Sequence, residues 1–190
     1  GQRNRLSMIG NLNEEVRAML FYSDGEVTRG GHKYGSNPKD YDYEYKDKRL
    51  TAGLTYTGQD NGVKATLGYN YISKVSSNSE LDSYIGDIQK KWDFGKDSLI
   101  AGYTFKRENY EGLVDTSEIA HRTSNALYLS YDKWFGDKFK TTLGLRGEKY
   151  SDYATDDNIL LPQIQTLYKF DDTSSWYINI GKAFQMPAVN

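Results

Sequence analysis

The feature that most constrains this chain is a period-two alternation of apolar with small or polar residues, repeated in one segment after another. In 48–58, Leu50, Ala52, Leu54 and Tyr56 fall on one side, and Thr51, Gly53, Thr55 and Thr57 on the other. The segment 63–72 repeats the arrangement, with Val63, Ala65, Leu67, Tyr69 and Tyr71 opposed to Lys64, Thr66, Gly68 and Asn70. Leu99, Ala101, Tyr103 and Phe105 likewise oppose Gly102, Thr104 and Lys106, and Phe139, Thr141, Leu143 and Leu145 oppose Lys140, Thr142, Gly144 and Arg146. Successive side chains of a strand point to opposite faces, so each segment reads as a strand greasy on one side and wet on the other.

The breaks between segments have their own order. Short turns fall near 13, 60, 96, 136 and 173, and polar stretches at 25–46, 73–80, 107–122 and 151–158 fall between them. The strands so delimited are 5–12, 15–24, 48–58, 63–72, 81–94, 99–105, 124–134, 139–150, 159–170 and 176–184. Strands of about ten residues joined alternately by a tight turn and a long loop are the signature of an outer-membrane barrel. The fold expected is all-β: an antiparallel transmembrane β-barrel segment of about ten up-and-down strands, with short periplasmic turns and long extracellular loops. Asn61-Gly62 supplies the positive-φ residues that a tight hairpin requires. The first hairpin alternates least, and a short helix over 13–22 fits there as well. Trp92, Phe94, Trp134, Phe135 and Trp176 all stand beside short turns, as expected of an interfacial aromatic girdle. Lys64, Asn70, Lys140, Arg146, Gln165, Lys169 and Asn179 are expected to face the interior.

Composition agrees with a sheet that meets lipid on one face only. Hydrophobic residues make up 37% of the 190, and the mean hydropathy is −0.76. That polarity suggests disorder, but disordered chains are poor in aromatics, and this one has 17 tyrosines. No run approaches the roughly 18 apolar residues of a membrane-spanning helix. Cysteine is absent, which removes disulfide frameworks and thiolate metal sites. A net charge of −2 gives no footprint for nucleic acid.

Residues capable of chemistry are sparse. His32 lies in the stretch 25–46 and His121 ends the stretch 107–122, with no carboxylate at ligand spacing, so no metal site is expected. Tyr34, and the run Tyr41, Tyr43 and Tyr45 interleaved with acidic residues, offer flat rings carrying hydroxyls. With the two histidines they are the candidate ligand contacts in extracellular loops; the run 41–45 reads equally as the rim of the next strand. The pairs Asp156-Asp157 and Asp171-Asp172 sit in turns and are read as turn chemistry. No nucleophile elbow, P-loop or dinucleotide fingerprint is present. Two histidines are too few for a barrel protease. No enzyme, catalytic residue or cofactor is expected.

The segment 160–190 carries a more specific pattern. Pro162, Tyr168 and Phe170 lead into a short turn, and Tyr177, Gly181, Phe184 and Pro187 follow on the next ascent. This resembles the late barrel region of TonB-dependent outer-membrane receptors, and 142–153, with its G-x-R-x-E, is similar to the family's preceding strand. The resemblance implies a barrel of about 22 strands closed by an N-terminal plug domain. It implies import of a scarce nutrient such as an iron-siderophore, haem or cobalamin, energised by the TonB–ExbB–ExbD complex. The implied partners are outer-membrane lipid, the plug of the same receptor and a small metal-chelate ligand. Residues 1–190 would then be one partial barrel domain, an internal fragment without plug or terminal strand. Two other readings stand beside it. A complete small barrel acting as an adhesin or structural protein requires contact between first and last strands. A soluble propeller requires four short strands per repeat, where this chain shows two long ones.

Overall fold

The computed structural model describes residues 1–30, 42–74, 78–112, 120–152 and 156–183. It contains ten strands: β1 (Gln2–Asn11), β2 (Val16–Gly30), β3 (Asp42–Thr57), β4 (Val63–Lys74), β5 (Ser79–Phe94), β6 (Asp97–Glu111), β7 (Ala120–Phe135), β8 (Phe139–Ser151), β9 (Asp156–Lys169) and β10 (Ser175–Gly181). They form one antiparallel sheet in strict sequence order, and β1 and β10 are not neighbours in it. The sheet is therefore open, without the closing contact that a complete ten-stranded barrel needs.

Two expectations are corrected. The stretch 13–22 holds no helix: Val16 to Gly30 is a strand, paired to β1 from Asn11↔Arg17 to Gln2↔Glu26. The strands also run further into the polar stretches than alternation suggested. β3, β5 and β7 each have 16 residues, whereas about 9–11 suffice to cross a bilayer. The surplus, at about 3.3 Å per residue, lifts a polar sheet above the apolar band. Backbone pairing stabilises this part without any need for apolar side chains, so a hydropathy pattern does not reveal it.

The registers sort the side chains into two faces. Leu54 opposes Leu67, Ile88 opposes Tyr103, which opposes Leu127, and Leu145 opposes Pro162. On this face Leu67 is 62% and Leu127 68% exposed, a cost that water would not repay and lipid removes. Its charges keep to the ends. Lys133 pairs with Asp97 at 2.6 Å beside the short turns, and the Lys90 ammonium reaches to 5.5 Å above the Trp92 ring, as a long cation does at an interface. The opposite face carries Thr, Ser, Asn, Gln and charged residues and is the more buried of the two; Ser23, Ser83, Ser98, Arg122 and Ser124 lie there. It is the inner face, where side chains crowd together.

The weak alternation of the first hairpin has a cause in this geometry. Ile9, Met19 and Phe21 occupy inner positions, so β1 and β2 are apolar on both faces. Gly53 and Gly68 oppose one another on the neighbouring strands. Met19 lies over the first, and Ile85 over the second, each where a β-carbon would stand. The glycines leave room for apolar side chains on an otherwise polar wall.

The short turns are closed by side chains that accept from the backbone. Asn13 Oδ1 takes the amides of Glu15 and Val16 at 2.9 and 2.7 Å, and Asp171 Oδ1 takes those of Thr173 and Ser174, both at 2.8 Å. In the turn after β3 only Gly62 adopts a positive φ, +66°. Asn61 contributes through its side chain instead, accepting from the Val63 amide at 2.8 Å.

The isolated 190-residue chain will require detergent or lipid, because both edge strands and a lipid-facing surface are uncovered; a monodisperse monomer in plain buffer by analytical ultracentrifugation would contradict this. The hydroxyl and amide of Thr173 and the amide of Ser174 hold the Asp171 carboxyl below its usual range, and Lys96 does the same for Asp137 across adjacent turns. A depressed carboxyl stabilises the fold above its unfolded pKa and loses that contribution as pH falls through the folded value, so both turns loosen in acid below the ordinary aspartate pKa. Lys96→Ala should raise the Asp137 pKa and leave that of Asp171 in place, as read by carboxyl carbon NMR titration.

Candidate functional site

The inner face of β5 to β8 holds a continuous set of side-chain hydrogen bonds, and a glycine makes it possible. Gly102 on β6 directly opposes Tyr128 on β7. A β-carbon at Gly102 would meet Tyr128 Cζ at 2.3 Å, so the ring lies flat across β6. The phenol thereby reaches past one strand to the next, donating toward Gln89 Oε1 at 3.0 Å and Asp87 at 3.3 Å on β5. Strands stand about 4.8 Å apart, so a contact between next-nearest strands demands both a long side chain and bare backbone beneath it. Thr104 donates to Asp87 Oδ2 at 2.8 Å. Arg146 on β8 stacks over the Tyr128 ring at 6.0 Å, and its Nε donates to Glu148 Oε2 at 3.0 Å. Glu148 also accepts from Ser124 on β7.

This arrangement gives the G-x-R-x-E pattern a physical meaning. Gly144, Arg146 and Glu148 are two apart on one strand, so all three face inward. The glutamate neutralises the arginine on its own strand while the guanidinium covers a ring on the next. Together they form a rigid polar wall of paired charges.

Nearer the short turns the expected girdle needs one correction. Trp92, Phe94, Phe135 and Trp176 are on the outer face, where Phe139, Tyr168 and Phe170 join them. Phe135 packs on Phe139 at 5.7 Å, and Phe170 stands edge-on to Tyr168 at 5.0 Å and to Trp176 at 5.6 Å. Trp134 is not among them. It follows Phe135 in one strand with the opposite orientation, opposes Lys140, and lies under the ammonium groups of Lys140 at 5.9 Å and Lys169 at 5.4 Å. Strand parity alone excludes Trp134 and Phe135 from a common face, which the count of nearby aromatics overlooked. Asp132, also inward, binds Lys140 at 2.6 Å and accepts from Thr142 at 2.6 Å.

The candidate ligand contacts fare differently. His32, Tyr34 and Tyr41 lie outside the described residues. Tyr43 falls in β3 opposite Arg29, and Tyr45 opposite Val27, so both belong to a strand and not to a loop. His121 is also in a strand, near the start of β7, and its Nδ1 lies 2.8 Å from Asn109 Oδ1. Asn109 in turn donates to Asp82 Oδ2 at 2.7 Å. Those three share the outer face above the apolar band, so His121 stands apart from the inner wall. Lys64, Asn70, Lys140, Arg146, Gln165, Lys169 and Asn179 all occupy inner positions. Glu148 belongs to the G-x-R-x-E pattern, but Asp87, Thr104 and Tyr128 had no motif to announce them. A glycine opposite a long aromatic in the correct register is their signal, and that register is legible only once strands are paired.

The C-terminal motif residues divide between the faces. Pro162 and Tyr168 point outward, and Tyr177 and Gly181 inward; Phe184 and Pro187 lie outside the described residues. The Lys182 amide donates to Pro162 O at 3.0 Å. A strand residue presents its N–H and C=O to the same neighbour, so the donor that proline lacks faces β10 just where that ladder ends.

In comparison with protein families, the chain fits the TonB dependent receptor-like β-barrel family over residues 7–190. This chain belongs to that family, whose members are outer-membrane transport receptors and not enzymes. No curated protein matches it.

Removing the Tyr128 hydroxyl leaves Asp87 and Gln89 short of a donor, so Tyr128→Phe should cost about 1 kcal/mol. Gly102→Val should displace the ring and cost about 1–3 kcal/mol. The double variant should fall short of the sum, because either change breaks the same contact. Urea unfolding in lipid vesicles reads all three, and strict additivity would show that the ring and the glycine act separately.

Proposed function

We propose that this chain is part of the wall of an outer-membrane receptor that imports a scarce nutrient, such as an iron-siderophore, haem or cobalamin, with energy from TonB. The reading is carried by membership of the receptor family together with a sheet that is apolar outside and charged and hydrogen-bonded inside. A wall of this kind separates lipid from a wet interior. The free edges of β1 and β10 support further strands on both sides, so residues 1–190 act as a partial barrel domain of a longer receptor. In that receptor a plug domain packs against the inner wall, and through the full-length protein the TonB–ExbB–ExbD complex supplies the force. Cargo, a small metal chelate, is first held by the extracellular side, where His32, Tyr34, Tyr41, Tyr43 and Tyr45 provide rings, hydroxyls and an imidazole.

The test is uptake by cells in which the full-length receptor is the sole route for iron chelates, haem and cobalamin. Accumulation of at least one of these should require the receptor and should cease when TonB is deleted. Uptake that persists undiminished without TonB would overturn the energised mechanism, and absence of any receptor-dependent uptake would overturn the transport reading.

A further inference from the structure

One row of inner residues breaks the polarity of the wall. Ile9 opposes Met19, Met19 opposes Gly53, Gly53 opposes Gly68 and Gly68 opposes Ile85, straight across β1 to β5. Lys106, opposite Ile85 on β6, ends it. Leu54 and Leu67, the chain neighbours of the two glycines, point outward at the same level, so the row lies within the depth of the apolar band. Beside it Phe21, on the inner side of β2, adds a ring.

The row is hollow in the middle. Two facing glycines contribute no side chain, and Met19 and Ile85 lie down over them from β2 and β5. The result is a recess of about 450 Å³ on the inner face. Thr51 and Asn70 flank the glycines on one side of the row, Thr55 and Thr66 on the other, and Arg17 completes the rim. An apolar centre within a polar rim is the anatomy of a protein–protein contact, and methionine adapts its shape to whatever is pressed against it. Yet the centre is bare: Ile9 is 63%, Met19 46% and Ile85 39% exposed.

Position decides what covers it. Lipid lies on the other side of the sheet, and a second barrel has no way into the interior. A transported solute is present only in passage, whereas apolar surface left in a wet interior costs about 25 cal/mol per Å² at all times. The occupant is therefore a resident of the interior. On the reading of this chain as receptor wall, we infer that the plug is anchored at this recess, by an apolar side chain of its own seated against Ile9, Met19 and Ile85 over the paired glycines. The hold is one-sided. Toward β5 to β8 the wall offers hydroxyls and paired charges, and there the plug meets it through polar groups and bridging water.

The experiment uses the full-length receptor in outer membranes, with a photoreactive benzoylphenylalanine in place of Ile9, the most exposed residue of the row. A second receptor carries the same group in place of Leu127 on the outer face. Irradiation without added cargo should join position 9 to an apolar residue of the plug, identified by mass spectrometry of the crosslinked peptides, and position 127 to lipid. Adding Met19→Ser and Ile85→Ser should remove most of the position-9 product, with heat-modifiable migration to check that the barrel is folded and Ile85→Ser alone as the milder variant. Absence of any protein crosslink from position 9, while position 127 captures lipid, would overturn the anchor and leave the wall reading standing. A crosslink to a polar segment of the plug, to a loop, or to added cargo alone would overturn the anchor as well. A product undiminished in the serine variants would remove the recess from the contact, and failure of position 127 to capture lipid would overturn the wall reading itself.

Discussion

A backbone amide or carbonyl in the hydrocarbon of a bilayer has no water to bond, and each one left unpaired costs several kcal/mol. Everything else in this sheet is subordinate to that requirement. It explains why ten strands pair strictly with their sequence neighbours, since short turns offer the nearest partner. It explains why helices are absent from the described residues. It also explains why Pro162, which lacks a donor, directs that deficiency toward the end of β10. Once the backbone is settled in this way, the outer side chains need only be apolar, and their identities are loosely specified.

The inner face obeys a different rule. Its groups are polar and crowded, so each must find a partner or remain wet. Glycines decide which partners are within reach. Gly102 lets Tyr128 cross a strand to Asp87 and Gln89, while Gly53 and Gly68 make room for Met19 and Ile85. Small residues thus determine where the wall is hydrogen-bonded and where it is greasy. Charges follow the same logic: where a carboxylate lies within reach the cation is neutralised, and toward β1, β2 and β4 some cations are left over.

The sequence by itself determined the strands, the up-and-down order, the sharing of turns and loops, and the outward set of Leu, Ile and aromatic residues. Period-two alternation is a local property and survives in one dimension. It also placed Lys140, Arg146 and their fellows on one face, since parity within a strand is fixed. It misplaced what depends on more than one strand. Trp134 was counted with the aromatics near it in sequence, although it covers the inner side beneath two lysines. A helix over 13–22 fitted beside the strand reading because Met19 and Phe21 are apolar on a face where polarity was expected. His121 was taken for a loop residue, and Tyr45 was left between a loop and the rim of a strand, because the polar ends of long strands look like loops. Only the tertiary structure decided these, because register sets which side chains meet, and register is a relation between strands that no single stretch of residues contains.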